Sequence, residues 1–307
     1  MAARRPPPVA KRVRYAPGSA RVRNAILEQQ RRLRTTATRL DQAGVSEIHD
    51  GRVAARRLRS LLRTFRPLLD ADRARLHREH LRSFARTLGE AREADVRREL
   101  LTALSLDDGR ISPTAHRRLV ALLERSCVAS RERLGLQLAA PEWAALGAAL
   151  ERERDSEAFV VERGAGMAQV LALVSRAWRR PLRLLRRGPR DVAELHELRL
   201  AFKHCRYALE PVADIAPRES ARLLRRLRAA QDCIGDHRDT RLAEHWVKEN
   251  EPALGPALVA RLDAGLRDRE KGLRRDAARR AARVLDAWQA WRTATRPVRK
   301  ATTSGPA

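Results

Sequence analysis

The stretch Val45–Phe65, "VSEIHDGRVAARRLRSLLRTF", carries five arginines and one histidine beside two acids. On a helix turning about 100° per residue, His49, Arg52, Arg56, Arg59 and Arg63 share an arc of about 80°. Leu58, Leu61, Leu62 and Phe65 lie on the opposite side. The segment therefore reads as an amphipathic helix whose polar face bears one sign of charge. An ordinary solvated face mixes signs. Acid–base pairs four residues apart stabilise a helix by about 0.2–0.5 kcal/mol, and like pairs destabilise it by similar amounts. A stripe of uniformly positive neighbours points to an anionic partner.

The pattern returns as "AELHELRLAFKHCRYALEP", Ala193–Pro211. A shift of 147 residues lays His49 on His196, Arg52 on Arg199, Arg56 on Lys203 and Arg59 on Arg206. Val53, Leu58 and Leu62 land on Leu200, Cys205 and Leu209. A second echo follows each stretch: "LGEAREADV" (Leu88–Val96) answers "IGDHRDTRL" (Ile234–Leu242) at a shift of 146. Self-similarity of this kind marks an internal duplication. The chain divides into halves of about 20–138 and 156–294, joined through 139–155. Two packed helical bundles related by approximate two-fold symmetry are the natural architecture. The two stripes would then line one shared groove or pore. Arginine there offers forked donors matched to phosphate oxygens. A histidine heading each stripe can add charge once an anion raises its pKa.

Composition supports this reading. The 307 residues are 43% apolar and 34% charged, with only 15 glycines and no strand-period run. That describes a globular, helix-favouring chain long enough to bury a large core. The net charge is +27, so the partners to consider are nucleic acid, an acidic membrane surface or a phosphate polymer. Cys127, Cys205 and Cys233 form no C-x-x-C spacing, which argues for a reducing, cytoplasmic setting. No apolar run approaches the ~18 residues of a membrane span. Residues 1–18 and 295–307 read as a disordered basic arm and tail around a helical domain at 19–294. Within it, helices are expected at 72–88 and 90–104, at 218–232 and 236–249, at 253–270 and 272–294, at 141–154 and continuously over 156–187. Ser46 and Asp191 are suited to cap helices.

Other constellations carry less. His77 and His80 stand three apart on a helix without a completing ligand set, so no metal is assigned. Glu93, Asp95, Asp236 and Asp239 neighbour Arg92 or Arg238 and read as ion-pair partners that orient the arginines. Trp143, Trp178, Trp246, Trp288 and Trp291 are too scattered in sequence to make a base-stacking platform. No glycine-rich phosphate loop, zinc finger or RNP-like motif occurs.

The paired stretches "IHDGRVAARRLRSLLRTF" and "LHELRLAFKHCRYALE" resemble the duplicated signature of the CHAD family, the conserved histidine α-helical domain. "LGEAREADV" and "IGDHRDT" resemble its second motif. The resemblance implies an all-α fold of two pseudo-symmetric four-helix-type bundles around a basic central pore. It also implies binding of inorganic polyphosphate without catalysis or cofactor, and association with polyphosphate granules. Carried over by position, His49, Arg52, Arg56, Arg59, His196, Arg199, Lys203 and Arg206 would line the pore. Arg63 extends the first stripe. Arg57 and His204 stand at the edges of the stripes, and Arg92 and Arg238, which match across the halves in the second motif, are further candidates for the pore. Gly51, where the second half has Leu198, and "KHCRY" depart from the pattern. Two other readings share the charge. One is a non-specific nucleic-acid-binding protein; the other is a phosphoryl-transfer enzyme with His49 or His196 as nucleophile.

Overall fold

A computed structural model describes residues 14–37, 45–141, 148, 160–189 and 191–296. Most of the arm and tail, most of the helix expected at 141–154, and Trp143 lie outside the described residues. Among the described residues ten α-helices follow one another: α1 (Pro17–Ala37), α2 (Val45–Thr64), α3 (Ala71–Asp107), α4 (Pro113–Leu138), α5 (Met167–Ala177), α6 (Arg179–Arg187), α7 (Val192–Leu209), α8 (Pro217–Glu249), α9 (Glu251–Leu254) and α10 (Pro256–Ala294). Short 3₁₀ turns at Arg66–Leu68 and Glu210–Val212 close α2 and α7 in the same way, each around a proline. Among the described residues there is no strand, only an isolated bridge between Leu69 and Val160.

The helix ends follow local chemistry. Asp70 accepts from the backbone N–H groups of Asp72 and Arg73 at 3.1 and 3.0 Å, and Ser112 accepts from that of Ala115 at 3.2 Å. Asp191 accepts from the N–H of Glu194 at 2.8 Å, the cap its sequence position suggested. Helix α2 starts at Val45, so Ser46 lies within its first turn.

Three expected breaks are absent. Helices α3, α8 and α10 run unbroken through Gly89, Gly235 and Gly272. An interior glycine costs about 1 kcal/mol against alanine, which long packed helices absorb. The expected helix over 156–187 is instead shorter. Residues 161–166 form a connecting segment whose Val161 and Glu162 N–H groups donate to the Leu68 carbonyl at 3.1 and 3.2 Å. Helix begins only after Gly166, and α6 departs from α5 at Trp178.

The apolar side projected for α2 is the buried one: Leu58, Leu62 and Phe65 are fully buried and Leu61 nearly so. On α7, Leu198, Phe202, Cys205 and Leu209 are fully buried. Fully burying such a side chain contributes about 1.5–3 kcal/mol. Gly51 has a packing reason. A β-carbon there would stand 3.1 Å from both Leu88 Cδ1 and Thr36 Cγ2, so its absence lets α1, α2 and α3 meet closely.

Neither half of the sequence owns a core. The larger apolar cluster draws on α1, α2, α3, α5, α6, α7, α8 and the end of α10. A second gathers Leu101, Leu119, Leu123, Val247, Leu262 and their neighbours at the far end of α3 and α8. The halves meet through α2 on α7, α3 on α8 and α1 on α5. Trp178, at the start of α6, joins Trp288 and Trp291 of α10 in a stack inside the larger core. Trp178 and Trp288 have ring centroids 4.2 Å apart, and Trp288 and Trp291 are 5.1 Å apart. Their burial leaves no face for a base. Residues 295–296, assigned to the tail, still belong to this end: Thr295 is buried and its hydroxyl donates to the Trp291 carbonyl at 3.0 Å.

Candidate functional site

Helices α2, α3, α7 and α8 enclose a cavity of about 570 Å³. His49, Arg52 and Arg56 enter it from α2. His196, Arg199, Lys203 and Arg206 enter from α7. Arg92 and Glu93 come from α3, and Arg238 comes from α8. Seven of the nine stripe residues read from sequence thus converge, as do the second-motif candidates Arg92 and Arg238. Arg59, Arg63, Arg57 and His204 do not line this cavity. Burial lowers the pKa of Arg59, and the nearby charges of Arg82 and Arg78 add to the effect. Arg63 and His204 line a separate cavity, and Arg57 sits in a third, beside Glu47 and Asp50. Arg57 also pairs with Glu210 at 3.4 Å.

The second motif explains how two stripe arginines are held. Arg52 crosses onto α3 and its Nη1 donates to the Leu88 carbonyl at 3.0 Å. A β-carbon at Gly89 would stand 3.3 Å from that same nitrogen. Arg199 crosses onto α8, where a β-carbon at Gly235 would meet its Nη2 at 3.0 Å and its Nε at 3.2 Å. The glycine in "LGEAREADV" and its counterpart in "IGDHRDTRL" are therefore seats for guanidinium groups. The two motifs in each half are one device.

Charge is concentrated and poorly solvated here. Burial pushes Arg52 down to about 10, with the neighbouring charge of Arg56 adding to the effect. Arg56 and Arg199 are likewise lowered, chiefly by burial. Lys203 is pushed down to about 6 by burial and then by Arg56, Arg199, Arg206 and Arg52. Its ammonium is thus mostly unprotonated at neutral pH in the empty cavity. His49 and His196 are also lowered, first by burial, then by Arg92 and Arg238 respectively.

The acids act on arginines. Glu93 accepts from Arg238 Nη2 at 2.6 Å, tying α3 of the first half to α8 of the second. Asp239 lies 3.3 Å from Arg238 Nη1. Asp95 is buried and pairs with Arg131 of α4 at 2.8 Å, while Arg92 reaches Glu99 at 3.9 Å. Asp236 lines the cavity with its pKa raised, mainly by burial. Among the described residues, no three His, Cys, Asp or Glu side chains gather as a metal-ligand set.

Sequence reading missed Arg228 of α8, which also lines the cavity. It stands two helical turns before Gly235, on the same face as Gln231 and Asp232. That helical spacing was the available signal. Tyr207 was missed as well: its hydroxyl accepts from Arg206 Nη2 at 3.0 Å and its ring lies 4.7 Å from that guanidinium.

Comparison with known proteins bears on the fold and the family. No curated protein matches the chain. Among solved structures, PptA from Streptomyces chartreusis is similar with a TM-score of 0.68 at 22% identity, covering 88% of this chain and 99% of that one. The CHAD domain from the plant Ricinus communis is similar with a TM-score of 0.63 at 22% identity, covering 93% and 97%. Residues 21–248, from α1 to the end of α8, match the CHAD domain family, and the chain belongs to it.

Proposed function

We propose that this protein binds inorganic polyphosphate in the cavity between α2, α3, α7 and α8, without catalysis, and associates with polyphosphate granules in the cytoplasm. The two halves would be related by an approximate two-fold, with the cavity as the central part of a basic pore. One observation carries the reading. Two like-charged stripes, 147 residues apart in sequence, line a single cavity. Seven arginines and one lysine line that space against four carboxylates. In water such a cluster would repel itself; in a partly desolvated cavity the repulsion is stronger still. A polyanion threaded through it would relieve that cost with charge-assisted, forked hydrogen bonds. Arg56, Arg199, Lys203 and Arg206 would be the direct contacts, with Arg52, Arg92, Arg228 and Arg238 reinforcing them. His49 and His196 would gain protons as phosphates approach.

A competition titration tests the reading. Labelled long-chain polyphosphate is bound first, and duplex DNA or RNA is then added at matched phosphate concentration. Retention of the polyphosphate is expected. Displacement by either nucleic acid would favour the nucleoid-binding reading, since net charge alone serves that equally well.

A further inference from the structure

A second basic cavity, of about 420 Å³, opens where the end of α2 meets α5, α6 and α7. This volume falls within the roughly 300–1,000 Å³ typical of small-ligand sites. Arg63, Arg66, Arg176, Arg179 and Arg183 line it. Among the described residues no acid lines it, and these five arginines make no ion pair. Arg180, the sixth arginine of the wall, is held by Glu197 at 2.6 Å. Some exposed arginines elsewhere take an acidic neighbour, as Arg31 and Arg32 do with Glu28, and Arg133 with Glu90; what sets these five apart is that they gather around one concavity. Unneutralised guanidinium groups gathered in a concavity form an anion site of the kind that favours closely spaced phosphates.

This cavity is walled off from the central one. Ser60 Oγ lies 2.8 Å from His204 Nδ1, and Thr64 Oγ1 lies 3.3 Å from His204 Nε2. Both ring nitrogens are thus occupied where α2 and α7 touch. Burial, then the charges of Arg63 and Arg78, push His204 down to about 4, so it stays neutral. Leu173, Ala177 and Pro67 give the cavity an apolar floor. Thr64 supplies a hydroxyl.

We infer that this cavity is a second, independent anion site for a short run of phosphates, as in tripolyphosphate or a nucleoside triphosphate. It rests on its own residues and stands or falls apart from the central cavity.

The test is calorimetric titration of the full chain with sodium tripolyphosphate, and separately with ATP, at about 0.15 M salt, where exposed charges are screened beyond ~8 Å. The variants are Arg176→Gln/Arg179→Gln/Arg183→Gln, a central-cavity pair Arg56→Gln/Arg199→Gln, and a control Arg261→Gln/Arg275→Gln/Arg283→Gln on exposed α10 positions. All carry surface or cavity-wall changes, and thermal melting checks that each remains folded. The wild type is expected to show two tripolyphosphate sites. The α5–α6 triple variant should lose one of them, with at least tenfold weaker binding of both probes there, and keep the central site. The central pair should keep the second site. The control should keep both. A wild-type isotherm from the α5–α6 variant, or an equal loss in the control, would overturn the inference.

Discussion

Arg199 of α7 lies across Gly235 of α8, its Nη2 only 3.0 Å from where a β-carbon would be. The same relation joins Arg52 to Gly89 in the first half, at 3.3 Å. A residue of the basic stripe and a residue of the second motif are thus mutually required. Gly235→Ala separates binding from stability. Alanine gains about 1 kcal/mol of helix propensity, and the displaced guanidinium is the mobile end of a long side chain. The melting temperature should hold or rise slightly. Polyphosphate affinity should fall about tenfold, equivalent to about 1.4 kcal/mol. Unchanged affinity would mean that the seated position of Arg199 is irrelevant to binding.

A proton-linked affinity is the outcome expected from Lys203. Its pKa is about 6 in the empty cavity, where Arg52, Arg56, Arg199 and Arg206 surround it. An entering anion favours the ammonium and raises that pKa. Between the free and bound pKa values, each binding event takes up a proton. Affinity therefore falls as pH rises above about 6, and the histidines, also lowered in the free protein, add to the same trend as a bound anion raises their pKa values. Lys203→Arg should flatten the profile between pH 6.5 and 8.5 (roughly one proton's worth of slope). An unchanged slope in that variant, followed by calorimetry in buffers of different ionisation enthalpy, would remove Lys203 from the linkage.

Counterion release gives a further handle. Log affinity should fall linearly with log salt, by about 0.7–0.9 per phosphate neutralised. Arg56→Ala/Arg199→Ala should weaken binding and reduce that slope by about 1–2. Replacing exposed Arg261 and Arg283 should leave both nearly unchanged. Equal effects from the two pairs would reduce the cavity to bulk charge.

The family match ends at residue 248, yet α10 is part of the same body. Trp291 is fully buried, stacks on Trp288 and donates from Nε1 to Ser220 Oγ at 3.0 Å. Trp291→Ala should cost about 3–5 kcal/mol, the usual range for a buried tryptophan. Urea unfolding would show this as a lowered midpoint with an unchanged slope. A loss below about 1 kcal/mol would show α10 to be an appendage.

Helical periodicity sufficed to place Leu58, Leu62 and Phe65 inside and His49, Arg52 and Arg56 on a common face, because burial and register are set within one helix. The duplication brought the Lys203 stripe into view for the same reason. What could not be read was how far the stripe stays in the cavity. Arg59 and Arg63 share the arc of Arg56, but α7 crosses α2 at Ser60 and Thr64 and turns the later residues toward other neighbours. A crossing between helices leaves no mark on single-helix periodicity. Gly89 and Gly235 looked like helix breaks because their reason for being glycine is an arginine on another helix. The tryptophans were read as scattered because sequence distance hides the stack of Trp178, Trp288 and Trp291. That Lys203 titrates near neutrality leaves no mark on the sequence, since burial among four arginines of two helices sets it.

The most direct test of the central proposal is a crystal structure of the full chain grown with polyphosphate. Expected is a chain of phosphate density in the cavity between α2, α3, α7 and α8, in contact with Arg56, Arg199 and Lys203. Phosphate density confined to the outer surface, with that cavity empty of phosphate, would contradict it.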